Sequence, residues 1–165
     1  MSKELEKLND HIASLCNFNT EHVKLFKWFI ADMFKRPDVL PSICLVFISK
    51  EGVGKDLMYD LLELMLNDKC TYNIDQLNKV TGQFNSLLGG KIFVVNETNP
   101  KDSAERRDNI KYLITAKKVE IEGKHKDPVK TLNCCRMIFY ANRLCAFPIE
   151  QTHEGHIFCI VLKNI

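Results

Sequence analysis

A chain of 165 residues with 45% apolar and 27% charged content has enough material for one globular core and no compositional bias toward disorder. Lys and Arg number 23 against 21 Asp and Glu, a formal net charge of +2, which excludes bulk charge as a driver of nucleic-acid binding and leaves only local patches to do it. No apolar run reaches the roughly 18 residues of a membrane span, and Met1-Ser2-Lys3-Glu4-Leu5-Glu6 lacks the apolar core of a signal peptide, so a soluble intracellular protein without membrane contact is expected. The seven cysteines are odd in number and include no C-x-x-C, which speaks against a disulfide framework. Cys44, Cys134, Cys135 and Cys159 lie in apolar, strand-like stretches and read as small core hydrophobes, and the histidines share no ligand spacing with them, so no zinc site is expected.

The predicted elements begin with a helix over residues 3–16, whose Leu5, Leu8, Ile12 and Leu15 recur on one face until Asn17-Phe18-Asn19 interrupts it. Thr20 is a candidate N-cap for a second helix over 21–35, carrying Val23, Phe26, Phe29, Ile30 and Phe34. It stops at Arg36-Pro37, because a residue before proline is pushed out of the α region. Trp28 reads as a packing residue. No Gly/Ser/Pro-rich linker follows, so residues 1–40 are expected to form a small helical part attached to a core of residues 41–165, one compact domain overall.

Ile43-Cys44-Leu45-Val46-Phe47-Ile48 is an uninterrupted apolar strand, and Ser49-Lys50-Glu51-Gly52-Val53-Gly54-Lys55-Asp56 follows it and opens a helix over 56–67. A buried strand, a tight turn and a helix N-terminus aim backbone N–H groups at an anion, and a lysine adds a mobile positive charge. Ser49, Gly52, Val53, Gly54, Lys55 and Asp56 are therefore the candidate ATP-binding residues, with Lys55 on the β/γ-phosphates. The pattern G-x-x-x-x-G-K-[ST] has glycine where Ser49 stands and a hydroxyl where Asp56 stands. The serine is tolerable if Gly52 takes the strained conformation in its place. The aspartate matters more: a carboxylate about 4 Å from a phosphate oxygen costs on the order of 4 kcal/mol at an effective dielectric of about 20. Mg²⁺ between the two removes that cost, with Asp56 as a direct oxygen ligand.

Beyond the loop, residues 71–74 read as a short strand and 76–88 as helical or partly so, ended by Gly89-Gly90. Lys91-Ile92-Phe93-Val94-Val95 is a continuous apolar strand of the kind found in a sheet covered on both faces, and it delivers Asn96-Glu97. Ligands of open α/β sheets bind beyond the carboxyl ends of strands, which puts Glu97 beside Lys55 as the carboxylate that polarises an attacking water. Asn96 stands where an acid is usual and serves the metal's water shell without charge, so Asp56 and Asn96 read as one anion exchanged between two metal-facing positions. A helix over 104–115 leads to strands over 117–122 and 128–135, joined by Gly123-Lys124-His125-Lys126-Asp127. Lys124, His125 and Lys126 form either a solvated turn or a tip that touches a nucleic-acid backbone. A strand over 136–141 ends at Asn142, whose amide can reach the attacking water or the γ-phosphate.

The SKEGVGKD loop, the FVVNE strand end, the EGKHKD hairpin and the IFYAN strand end stand in an order that resembles superfamily-three helicases. The sequence is most similar to the ATPase cores of viral and phage primase-helicases of the poxvirus and giant-virus kind, including Phe84-Asn85-Ser86-Leu87-Leu88 before the second motif. The resemblance implies a P-loop, AAA+-related α/β sandwich with a mostly parallel sheet and a protruding hairpin, assembling as a hexameric ring around single-stranded or forked DNA and fuelled by ATP with Mg²⁺. It further implies Lys55 on the phosphates, Glu97 as the catalytic carboxylate, Asn142 as the sensor, and Lys124 with His125 on DNA. An arginine pair usual before the last strand is absent, since Glu154-Gly155-His156 precedes Ile157; Arg143 is the nearest substitute.

Three readings follow. The first is an ATP-dependent helicase or translocase domain of a viral or mobile-element replication protein, with a primase or another replisome component as partner. The second is a degenerate core that binds nucleotide and DNA without efficient hydrolysis, favoured by Ser49, Asp56, Asn96 and the absent arginines. The third, a small P-loop kinase, lacks an Arg-rich lid and an acceptor-site signature.

Overall fold

The computed structural model describes residues 2–50, 52–66, 71–74, 92–95, 107–141 and 157–161 together with positions 82, 85 and 88; the strands at 71–74, 92–95 and 157–161 are described by their backbone. The helix expected over 76–88 apart from positions 82, 85 and 88, the first residues of the one expected over 104–115, and Asn96, Glu97, Asn142, Arg143 and Glu154 to His156 lie outside the described residues.

Two helices come first, α1 (Lys3–Leu15) and α2 (Thr20–Lys35). The cap of α2 is Asn19, not Thr20: its Oδ1 accepts from the N–H groups of Glu21 and His22 at 3.0 and 3.1 Å, and Thr20 is already helical. Asparagine is the better cap because its carbonyl oxygen reaches two orphan donors from an extended backbone. Phe26, Phe29 and Met33 line the inner face of α2. Trp28 lies off that face and is 45% exposed, contrary to the packing role expected of it.

The core is a five-stranded, wholly parallel sheet built from β1 (Cys44–Ile48), β2 (Thr71–Ile74), β3 (Ile92–Val95), β6 (Arg136–Ala141) and β7 (Ile157–Val161), in the order β2-β3-β6-β1-β7. β6 is central, and β1 beside it pairs with β6 through Leu45 to Ile138 and with β7 through Leu45 to Phe158. Every residue of β1 and of β6 is buried, as a strand covered on both faces requires. The chain leaves β1 through α3 (Lys55–Leu66) toward the far edge, and all later connections run back the other way. Right-handed crossovers then put α3 on one face and α4 (Arg107–Thr115), the helix between β3 and β6, on the other.

The packing follows that rule. On one face Leu45 and Phe47 of β1 and Ile138 and Tyr140 of β6 meet Ile12 and Leu15 of α1, Phe26 and Phe29 of α2, and Met58 and Leu62 of α3. On the other, Cys44, Val46 and Ile48 with Met137, Phe139 and Ala141 meet Ile110, Leu113 and Ile114 of α4 and Val119 at the root of a hairpin. That hairpin is β4 (Lys118–Ile121) paired antiparallel with β5 (Val129–Leu132), slightly shorter than the sequence pattern indicates. Cys16, Cys44 and Cys135 are buried and Cys134 partly so; burial pushes the Cys16 thiol up to about 11.

An ion pair locks the helical part to the sheet. Arg136, 1% exposed at the start of β6, donates from Nη2 to Asp32 Oδ2 at 3.0 Å and to the Arg36 carbonyl at 2.8 Å, while Arg36 also grips Asp32. Burial raises the Asp32 carboxyl, but the hydrogen bonds and charges of the two arginines outweigh it and hold the group below the usual carboxylate value. No signal in the sequence marks these residues as partners, since about a hundred positions separate them.

Candidate functional site

The loop between β1 and α3 is pinned where it leaves the sheet. The Ser49 N–H donates to the Ala141 carbonyl at 3.0 Å, tying the loop's first residue to the end of β6. The left-handed positions are Gly52 at φ +80° and Gly54 at φ +86°, and Ser49 is not among them, so the glycines carry the strain that a serine cannot. Lys55 is the first residue of α3, one earlier than expected, and is 9% exposed. Its Nζ donates to the Ser49 carbonyl at 3.3 Å and lies 6.0 Å from the centroid of the Tyr140 ring. The ammonium is thus folded over the loop. Behind it, Tyr140 stacks edge-on to Phe47 at 5.8 Å and Phe47 to Phe26 at 5.5 Å, a row of rings that fixes the floor of the site. Val53 is half-buried against the same core.

Asp56 follows in the first turn of α3, exposed, where a carboxylate is favoured by the helix dipole and competes with any anion placed there. Its charge also reaches Tyr140, whose hydroxyl is raised first by burial and then by this carboxylate. Among the described residues no three His, Cys, Asp or Glu side chains gather into a metal site. The structure therefore brings together Ser49, Gly52, Val53, Gly54, Lys55 and Asp56. β3 ends at Val95 and β6 at Ala141, immediately before Asn96-Glu97 and Asn142 in the chain. β6 stands between β1 and β3 in the sheet, which the sequence pattern alone did not order.

The hairpin carries the second set. Lys124, His125 and Lys126 are exposed at its tip; the Lys126 N–H closes a turn on the Gly123 carbonyl at 3.1 Å, and His125 takes φ +58°, a left-handed conformation uncommon outside glycine. The root is held firmly. Asn133 donates from Nδ2 to the carbonyls of Leu113 and Ala116 at 2.7 and 2.8 Å, capping the end of α4, and accepts from the Cys135 N–H at 3.0 Å. Asn85 clasps β4 by donating to the Glu120 carbonyl at 3.0 Å and accepting from the Glu122 N–H at 2.8 Å. Asn133 was not singled out by sequence reasoning, and Asn85 entered only through the resemblance.

His11 is a further residue that the sequence reading passed over. Its ring meets the loop from α1, with Nε2 3.1 Å from the Gly54 carbonyl. The available signal was its position between Leu8 and Leu15 on the helix face otherwise given to apolar residues.

A family model described as a family of unknown function, DUF5906, matches residues 47–155. A DNA primase-polymerase of Nitratiruptor phage NrS-1 is 25% identical over 151 residues, which cover 89% of this chain and 21% of that protein. Among solved structures, an apo structure of the NrS-1 C-terminal region superposes with a TM-score of 0.84 at 24% identity, over 96% of this chain and 38% of that one. An A-form apo structure of the same region gives 0.80, also at 24% identity, over 95% of this chain. The likeness establishes a shared mixed α/β fold, and the chain spans about a fifth of the length of the curated relative it matches. Among the described residues no helix is long and apolar enough to cross a membrane.

Proposed function

The chain belongs to the DUF5906 family, and from that premise we propose that it is the nucleotide-binding motor domain of a viral or mobile-element DNA replication protein, a helicase or translocase of the superfamily-three, AAA+-related kind. The observation that carries the reading is the loop after β1. Gly52 and Gly54 take left-handed conformations, and Lys55 begins α3 with its ammonium folded over the loop. That donor set suits a polyphosphate: N–H groups at a helix N-terminus, one flexible cation, and no side chain at the two glycines. Similarity to a phage DNA primase-polymerase supports a replication role, and the exposed basic hairpin tip supports contact with single-stranded or forked DNA.

In this reading the loop residues Ser49 to Asp56 bind ATP and Lys55 neutralises the β/γ-phosphates. Asp56, with Asn96, would hold Mg²⁺, which would neutralise phosphate charge. Glu97 takes the proton of an attacking water, and Asn142 orients that water. Bound MgATP supplies the phosphoanhydride bond whose hydrolysis drives movement along DNA. Lys124, His125 and Lys126 grip the backbone, and a hexameric ring and a primase partner complete the assembly. The test is ATP hydrolysis with Mg²⁺, with and without single-stranded DNA, beside Lys55→Ala and Glu97→Gln. DNA-stimulated turnover lost in both variants supports a motor.

One observation favours a second reading. The exposed Asp56 carboxylate stands in the first turn of the helix that would receive the phosphates, which weakens anion binding unless a cation lies between. Nucleotide binding that depends on Lys55 but shows no turnover identifies a degenerate core that binds and assembles.

A further inference from the structure

We propose that His11 is a positioning residue of the phosphate loop, fixing the Gly54–Lys55 peptide so that its N–H faces the anion; the inference rests on the nucleotide reading above. The Gly54 carbonyl can only accept, so the 3.1 Å contact makes His11 Nε2 the donor, in the tautomer that carries its proton there. In a trans peptide the carbonyl and the following N–H point in opposite directions. Holding the Gly54 carbonyl toward α1 therefore turns the Lys55 N–H away from α1 and into the concavity of the loop. Without that hold the peptide can flip and present its carbonyl oxygen to the ligand, an acceptor facing an anion.

Steric evidence points the same way. A Cβ on Gly54 would lie 2.5 Å from His11 Cε1, and φ there is +86°, so the ring occupies the space that a side chain at 54 would need. Gly54 is thus fixed by its conformation and by the imidazole together. Gly52, also left-handed, has nothing within 4 Å of its Cβ position and answers only to the turn. The helix bearing His11 is itself immobilised, since Leu8, Ile12, Leu15 and Cys16 pack into the core shared with Met58 and Leu62 of α3. An element outside the strand-loop-helix unit thereby sets the orientation of one of its donors.

The experiment measures the dissociation constants of MgATP and of inorganic pyrophosphate for the full chain, for His11→Phe and for His11→Gln, with Lys55→Ala as the control and thermal unfolding of each. Phenylalanine keeps the bulk and loses the donor, whereas the glutamine amide reproduces a donor near Nε2. His11→Phe is expected to weaken both ligands by the same factor, about three- to tenfold as for one lost hydrogen bond, and His11→Gln to recover most of it at an unchanged melting temperature. In isotope-labelled protein the His11 ring resonances should shift on adding pyrophosphate and stay put in Lys55→Ala. Equal binding by wild type and His11→Phe, with Lys55→Ala inactive, overturns the role of His11 and leaves the nucleotide reading intact. Losses in both variants that track melting temperature reduce His11 to packing and also overturn it. A wild-type chain that binds neither ligand overturns both readings.

Discussion

The loop after β1 and the basic hairpin stand under opposite constraints. The loop is held on every side: Ser49 by β6, Gly54 by His11 of α1, Lys55 by the Ser49 carbonyl and above the Tyr140 ring. Among the described residues the hairpin is held at its root, by Val119 in the core and by the amides of Asn133 and Asn85, and its tip is open to solvent. The contrast teaches what each can recognise. Under the proposed function, a loop fixed this closely would select one compact anion and tolerate little change in backbone, whereas an exposed arm would meet an extended polymer through countable charges.

The largest expected effect tests the frame that both regions share. Arg136→Met leaves the buried Asp32 with Arg36 as its remaining partner and strips the carbonyls of Asp32, Arg36 and Pro37 of a donor, and should cost about 3 kcal/mol, read as a lowered midpoint in urea unfolding; an unchanged midpoint would show that the lock between α2 and β6 contributes nothing. Next, Lys55→Ala should weaken MgATP about a hundredfold, the worth of its charge-assisted contacts, with affinity for single-stranded DNA unaltered. Loss of DNA affinity in the same variant would break the separation of the two regions.

A subtler effect concerns acid. The Asp32 carboxyl is depressed in the folded chain, so its contribution to stability is complete above the unfolded value of 3.8 and fades as pH falls through the lower folded value. Denaturation midpoints followed between neutral pH and about pH 2 should show this acid limb flattened in Asp32→Asn. On the hairpin, Lys124→Ala and Lys126→Ala should each lower the slope of log affinity for single-stranded DNA against log salt by about 0.7. MgATP binding should stay as in wild type. The smallest effect belongs to the tip backbone: His125→Gly relieves a left-handed residue but frees the unfolded chain, so stability should move by no more than about 1 kcal/mol, detectable by differential scanning calorimetry.

Local signals account for what was legible. The apolar run 43–48, the glycines and Lys55 are adjacent in the chain, so strand, loop and helix were readable with a one-residue error at α3. The turn at Gly123 to Asp127 was equally local. The alternation within β1, which sends Leu45 and Phe47 to one core and Val46 and Ile48 to the other, does not show which helices wait on each side. Trp28 misled because an aromatic on an amphipathic helix is judged by neighbours that the sequence does not contain.

The sequence by itself determined the parts whose physics is short-ranged: a wholly apolar strand, left-handed glycines beside a lysine, and three exposed polar residues at a hairpin turn. Only the tertiary structure decided that β6 stands between β1 and β3, that Arg136 closes on Asp32, that Asn85 and Asn133 fasten the hairpin root, and that His11 reaches the Gly54 carbonyl. Each of those joins groups far apart in the chain, from 17 positions to more than a hundred, and a hydrogen bond acts over about 3 Å; nothing in residue order encodes such proximity until crossovers and packing have placed the elements.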